Sequence, residues 1–139
     1  MATASEALSE LGIVEWVLRG EPTKESEFKE MFRKVTGATA DGTAIESDDP
    51  SKWGVTWKQV SDKMAAIEAA APMVELRRQR DAKLAETDWT ALSDVTMADN
   101  MKTYRQALRD LPASNDGKNA TLASDGRTLE NVKWPSKPA

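Results

Sequence analysis

The chain has neither cysteine nor histidine among its 139 residues. The first absence excludes a disulfide, a thiolate metal site and a cysteine nucleophile, and it leaves the redox compartment undetermined. The second removes the commonest general base and the commonest metal ligand together. Aromatic residues are scarce at 6% and hydrophobic residues make up 40%, so a single core would be thin. No apolar run approaches the roughly 20 residues that a membrane-spanning helix needs. The opening MATASEALSE has no basic flank and no apolar stretch, unlike a secretory signal. There is no glycine-rich phosphate loop and no nucleophile–base pair. The expectation is a protein of the cytosol in which it is made, with no catalytic residue, cofactor or metal site.

Charge, by contrast, is abundant. Charged residues make up 30% of the chain, the net charge is −4 and the mean hydropathy is −0.58. That balance predicts no general attraction to nucleic acid or to an anionic membrane. The acidity is local: residues 1–72 carry 13 acids against 8 bases, residues 73–112 carry 7 of each, and the last 27 carry 3 and 4.

In the first third, Ser5 is a plausible N-cap for a helix over residues 6–11 that stops at Gly12. Residues 13–19 read as a short strand or, equally, as a helix continuing to Gly20. After the break at Pro22, Phe28, Met31, Phe32 and Val35 recur at helical spacing, with Gly37 placed as the C-cap. Residues 37–54 are turn-forming. Asp41, Asp48 and Asp49 lack the order of a calcium loop and read as a solvated acidic loop.

The second third is helical. Thr56 and Gln59 form a capping box, and Trp57, Val60, Met64, Ile67 and Ala71 make one stripe. Pro72 predicts either one kinked helix over 57–86 or two helices that abut there. The loosely heptad-like stripe makes homo-oligomerisation conceivable. Thr87 to Thr90 stop the helix, with Trp89 expected to be tucked into a chain reversal. A last helix, capped near Thr96, carries Met97, Met101, Tyr104, Leu108 and Leu111 and ends at Pro112. Residues 113–127 read as a flexible linker, and the chain closes on Trp134-Pro135.

Three parts follow: an adaptor module over residues 1–54, a helical rod with a hairpin over 55–112, and a flexible tail over 113–139. The fold class is mainly α: a small helical N-terminal module (with the 13–19 strand as an option), a long or proline-kinked helix, and a helical hairpin over 73–111.

Within the hairpin, Arg77-x-x-Arg80-Asp81 precedes Leu84, Asp88-Trp89-Thr90 and Asp94, and Tyr104-Arg105-Gln106-Ala107-Leu108-Arg109-Asp110 follows. This order over residues 76–112, with the Trp134-Pro135-Ser136-Lys137-Pro138 ending, resembles the phage tail assembly chaperone family, also called tail fibre assembly proteins. Residues 95–103 (VTMADNMKT) lack the tryptophan and the lysine-rich approach of that family.

The resemblance implies a chaperone that binds a tail-fibre or other receptor-binding polypeptide, itself trimeric, and promotes its folding, trimerisation or attachment. The alternative is a permanent virion component, a baseplate or fibre adaptor that retains the module. The place of action would be the host cytoplasm during assembly, or the virion tail. The residues expected to meet the partner are Arg77, Arg80, Leu84, Trp89, Tyr104, Arg105, Leu108, Arg109, Trp134 and Pro135. For the arginines the competing reading is pairing within the hairpin to Asp81, Asp88 and Asp110.

Overall fold

Thr3 starts the first helix, α1 (Ala4–Glu10). Its hydroxyl accepts from the Glu6 amide at 3.1 Å while the Glu6 carboxylate accepts from the Thr3 amide at 2.8 Å. This reciprocal capping box displaces the start from Ser5, the residue that the sequence favours. Gly12 follows at φ 77°, a left-handed conformation that ends the helix without a Cβ clash. Strand β1 (Trp16–Leu18) then decides residues 13–19 in favour of the strand.

The computed structural model describes all 139 residues, which group into two compact units, residues 1–69 and 70–139. In the first unit the helix expected through Val35 stops early. Helix α2 covers Glu25–Met31, and the chain enters strand β2 (Phe32–Ala38) at once. Phe28 and Phe32 satisfy the helical stripe only as far as their own pair. Beyond them β2 takes strands on both edges, β1 on one side and β3 (Ala44–Ser47) on the other, both antiparallel. Two ladders of hydrogen bonds and the β-branched Val35-Thr36 outweigh the helical spacing.

Strand β3 itself corrects the reading of residues 37–54 as loop alone. Turns remain at the Asp41-Gly42 tip, where Asp41 accepts from the Thr43 amide at 3.1 Å and from the Thr39 hydroxyl, and at a 3-10 turn over Pro50–Lys52 capped by Asp49.

The core of this unit is aromatic. Phe28 stacks on Phe32 with ring centroids 4.9 Å apart, and Trp53 meets both rings edge-on. Ala4, Ala7, Leu8, Val55 and Val60 close the cluster, with Trp16, Trp57, Met64 and Ile67 packed at its margin. The indole N–H groups of Trp53 and Trp16 donate to the Ser47 and Ile13 carbonyls, at 2.9 and 3.0 Å, so burial leaves neither unpaired.

Helix α3 (Trp57–Thr87) is one helix with Pro72 inside it, which removes the option of two abutting helices. The Thr56–Gln59 box caps it as expected. No helix is long and apolar enough to cross a membrane.

In the second unit a 3-10 turn (Asp88–Ala91) and a loop lead into α4 (Asp99–Asp110), whose first cap is Ala98 rather than Thr96. Leu76, Tyr104, Leu108 and Leu111 are its buried large apolar residues.

The residues after Pro112 depart most from expectation. They form a short helix, α5 (Asn115–Lys118), and a hairpin of β4 (Thr121–Leu122) and β5 (Leu129–Glu130). Gly117 is what lets the segment fold back. A Cβ there would stand 2.2 Å from the Leu111 carbonyl oxygen. Asp125 closes the hairpin turn by accepting from the Arg127 and Thr128 amides, both at 2.8 Å. The Gln79 amide donates to the Arg127 carbonyl at 3.0 Å, joining hairpin to α3. The flexible tail of the sequence reading is therefore corrected to a folded appendage. A composition of Asn, Gly, Ser and Asp hid the fold-back at Gly117 and the hairpin turn at Asp125, which need such residues.

Candidate functional site

Helix α3 ends at Thr87 with carbonyl groups that no further turn can satisfy. Arg105, reaching across from α4, satisfies them. One terminal nitrogen, Nη1, donates to the Leu84 carbonyl at 2.9 Å and to the Thr87 hydroxyl at 2.7 Å; the other, Nη2, meets Asp88 at 3.0 Å. The cation also sits where the helix dipole is negative. Arg105 is 8% exposed, and its Nε alone finds no partner. The side chain that fills the reversal is thus Arg105, with Thr87 and Thr90 buried beside it.

Trp89, expected inside the reversal, lies outside it. It is 60% exposed and Leu92 is 56% exposed. The charged fork of Arg105 takes the interior position because it can bond the carbonyls at the end of α3, which an indole N–H could do only once. Trp89 instead lines a groove of about 360 Å³ together with Val95, Met97, Met101 and Pro138.

The other residues singled out by sequence divide between interior and surface. Tyr104 and Leu108 are buried, at 5% and 0%, and hold the hairpin together from within. Leu84 is half-buried, and its carbonyl serves Arg105. The four arginines differ in their partners. Arg80 pairs with Asp81 at 2.8 Å, Arg105 with Asp88, and Arg109 donates to Gln106 at 3.2 Å, while Arg77 alone stands exposed and unpaired. The expected Asp110 pair is absent; Asp110 accepts from Gln106 instead.

Trp134 and Pro135 are half-buried. The Lys83 ammonium lies 5.0 Å from the Trp134 ring centroid, and the Lys133 amide donates to the Asp116 carbonyl at 2.9 Å. Lys137 pairs with Glu86 at 3.5 Å. The tail thereby runs along the end of α3 to the Trp89 groove, so two features far apart in sequence share one surface.

Glu75 shows how the arginine-rich stretch neutralises itself. Hydrogen bonds from Arg78 and Gln79 hold its carboxyl down at about 2, and Arg78 approaches to 2.6 Å.

The arrangement combines an internal arginine clamp, an exposed indole, and an apolar groove edged by the chain's own tail. Residues 73–139, just under half of the chain, match the family model described as phage tail assembly chaperone protein, as the hairpin motifs and the Trp-Pro ending suggest. No curated protein and no solved structure matches the chain. Sequence reasoning missed the groove because Met97 and Met101 read as part of one helix stripe and Val95 as part of no element; an indole in a turn beside three spaced apolar residues was the available signal.

Proposed function

We propose that residues 70–139 dock a phage tail polypeptide, a tail-fibre or other receptor-binding chain, and that the protein helps that chain to fold, trimerise or attach without catalysing a reaction. The observation that carries this reading is the exposed Trp89–Leu92 pair beside the groove, within the stretch that matches the tail assembly chaperone family. Large exposed apolar side chains held on a braced turn are the anchors of protein interfaces. Met97 and Met101 in the groove lining suit a partner whose surface is still changing, because thioether side chains repack at little cost.

Fibre subunits expose strand edges and apolar faces until three chains meet, and a protein that covers such surface favours assembly over aggregation. The partner-facing set is accordingly Trp89, Leu92, Arg77, Trp134 and Pro135, with Arg80, Arg105, Leu84, Tyr104 and Leu108 shaping the surface from behind. The test is co-expression with the tail-fibre polypeptide of the same phage. Soluble trimeric fibre should rise several-fold over fibre expressed alone; an unchanged trimer yield contradicts the reading.

A further inference from the structure

Residues 1–69 hold a cavity of about 440 Å³ that shares no residue with the Trp89 groove. Pro22, Trp57, Met64 and Ala65 give it an apolar lining, and Glu21 and Glu68 stand among them. Pro22 is buried, Trp57 and Met64 are half-buried, and both glutamates are exposed, which puts the charge at the mouth. The Trp57 ring lies 5.5 Å from that of Phe28, so the aromatic core holds this wall in place. A largely apolar cleft of this size with a few convergent polar groups is the usual form of a ligand site.

The two glutamates are held but not neutralised. Glu21 accepts from the Ala4 amide at 2.7 Å, and Glu68 accepts from the Ala2 amide at 3.1 Å. Those amides are two residues apart, within about 7 Å, so both carboxylates converge on one short stretch of chain. Each bond uses Oε1 and leaves Oε2 without a protein donor. The ion pairs of this unit, Arg19–Glu46, Lys29–Glu25, Lys58–Asp62 and Lys63–Glu10, include neither glutamate. The unit as a whole carries 13 acids against 8 bases, so its field also favours a cation.

An apolar occupant alone would dehydrate two carboxylates and give them no counter-ion, which opposes binding. An apolar group with a cation beside it fills the cavity and pairs that charge together. We propose that this cavity is a further docking site, for a polypeptide segment in which a lysine or arginine adjoins a large apolar side chain. It differs in chemistry from the Trp89 groove, whose lining contains no aspartate or glutamate. The N-terminal unit then contributes a contact of its own, independent of the one assigned to Trp89.

The test titrates the full-length chain with two probes, acetyl-Leu-Lys-Leu-amide and acetyl-Leu-Glu-Leu-amide, and follows NMR shifts of the Trp57 indole and the Ala2 and Ala4 amides. The lysine peptide should bind about tenfold more tightly than the glutamate peptide. That preference should shrink between about 0.01 M and about 1 M salt, as the Debye length falls from about 30 to about 3 Å. Glu21→Gln/Glu68→Gln keeps an oxygen for each amide, so the fold should be unchanged by circular dichroism while the preference disappears. Ala65→Arg, at an exposed position on α3, should abolish lysine-peptide binding and serves alone if the double variant does not fold. Trp89→Ala should leave both affinities as they are. Equal affinity of the wild-type chain for the two peptides would overturn the proposal, as would binding of neither or a preference that survives the glutamine substitutions. Concentration-dependent self-association that shifts the same signals without peptide would also overturn it, because the occupant would then be a second copy.

Discussion

Arg105 and Trp89 exchange the places that chemistry of the bare sequence gives them, and their substitutions should separate accordingly. Arg105→Met removes three charge-assisted hydrogen bonds at the end of α3 and should cost about 1.5–3 kcal/mol in chemical denaturation. Arg105→Lys should not restore it, since one ammonium cannot span the carbonyl, hydroxyl and carboxylate together. Trp89→Ala, at an exposed position, should change stability by no more than about 0.5 kcal/mol. A loss of several kcal/mol from Trp89→Ala would mean the indole is buried after all.

Asp125 makes a pH prediction at the same scale. Hydrogen bonds from Thr128 and Arg127 hold its carboxyl at about 2, below the ~3.9 of an unfolded chain. A depressed carboxyl stabilises the folded turn above the unfolded value and loses that contribution as pH falls through about 2. NMR titration should show the Thr128 amide shifting near that low pH; a midpoint at the ordinary aspartate value would contradict the turn.

At the scale of elements, the legible features were those written locally. The Thr56–Gln59 box needs four consecutive residues and is present in the structure. Phe28 and Phe32 were recognisable as core, yet the same spacing concealed a helix that becomes a strand between Met31 and Phe32. Nothing within residues 24–37 announces that β1 and β3 flank β2, because strand partners lie outside any local window. The Trp89 position failed for a related reason: its competitor for the interior, Arg105, is sixteen residues away.

The segment after Pro112 was misread on composition. Gly117 carries its correction as a measurable claim, since alanine there drives a methyl into the Leu111 carbonyl. Gly117→Ala should destabilise the appendage by about 1–3 kcal/mol in thermal or urea unfolding. An unaffected transition would mean that residues 111–118 are not closed as described.

For the molecule as a whole, the scarce aromatics are allotted unevenly. Both phenylalanines and three of the five tryptophans build the aromatic cluster of residues 1–69. The remaining tryptophans, Trp89 and Trp134, stand at least half exposed or half-buried in the unit that matches the chaperone family. One unit uses indoles to make a core, and the other presents them. The family resemblance was legible because the residues that carry it lie in short runs, notably Asp88-Trp89-Thr90 and Tyr104 to Asp110, each readable within a local window. The groove was not, because its lining draws on the hairpin and on Pro138 at once.

The central claim is that the Trp89 surface receives the tail polypeptide, and one comparison tests it most directly. The double variant Trp89→Ala/Leu92→Ala should keep the wild-type unfolding transition while the yield of soluble trimeric fibre on co-expression falls to that of fibre expressed alone. A trimer yield equal to that supported by the wild-type chain would contradict the account.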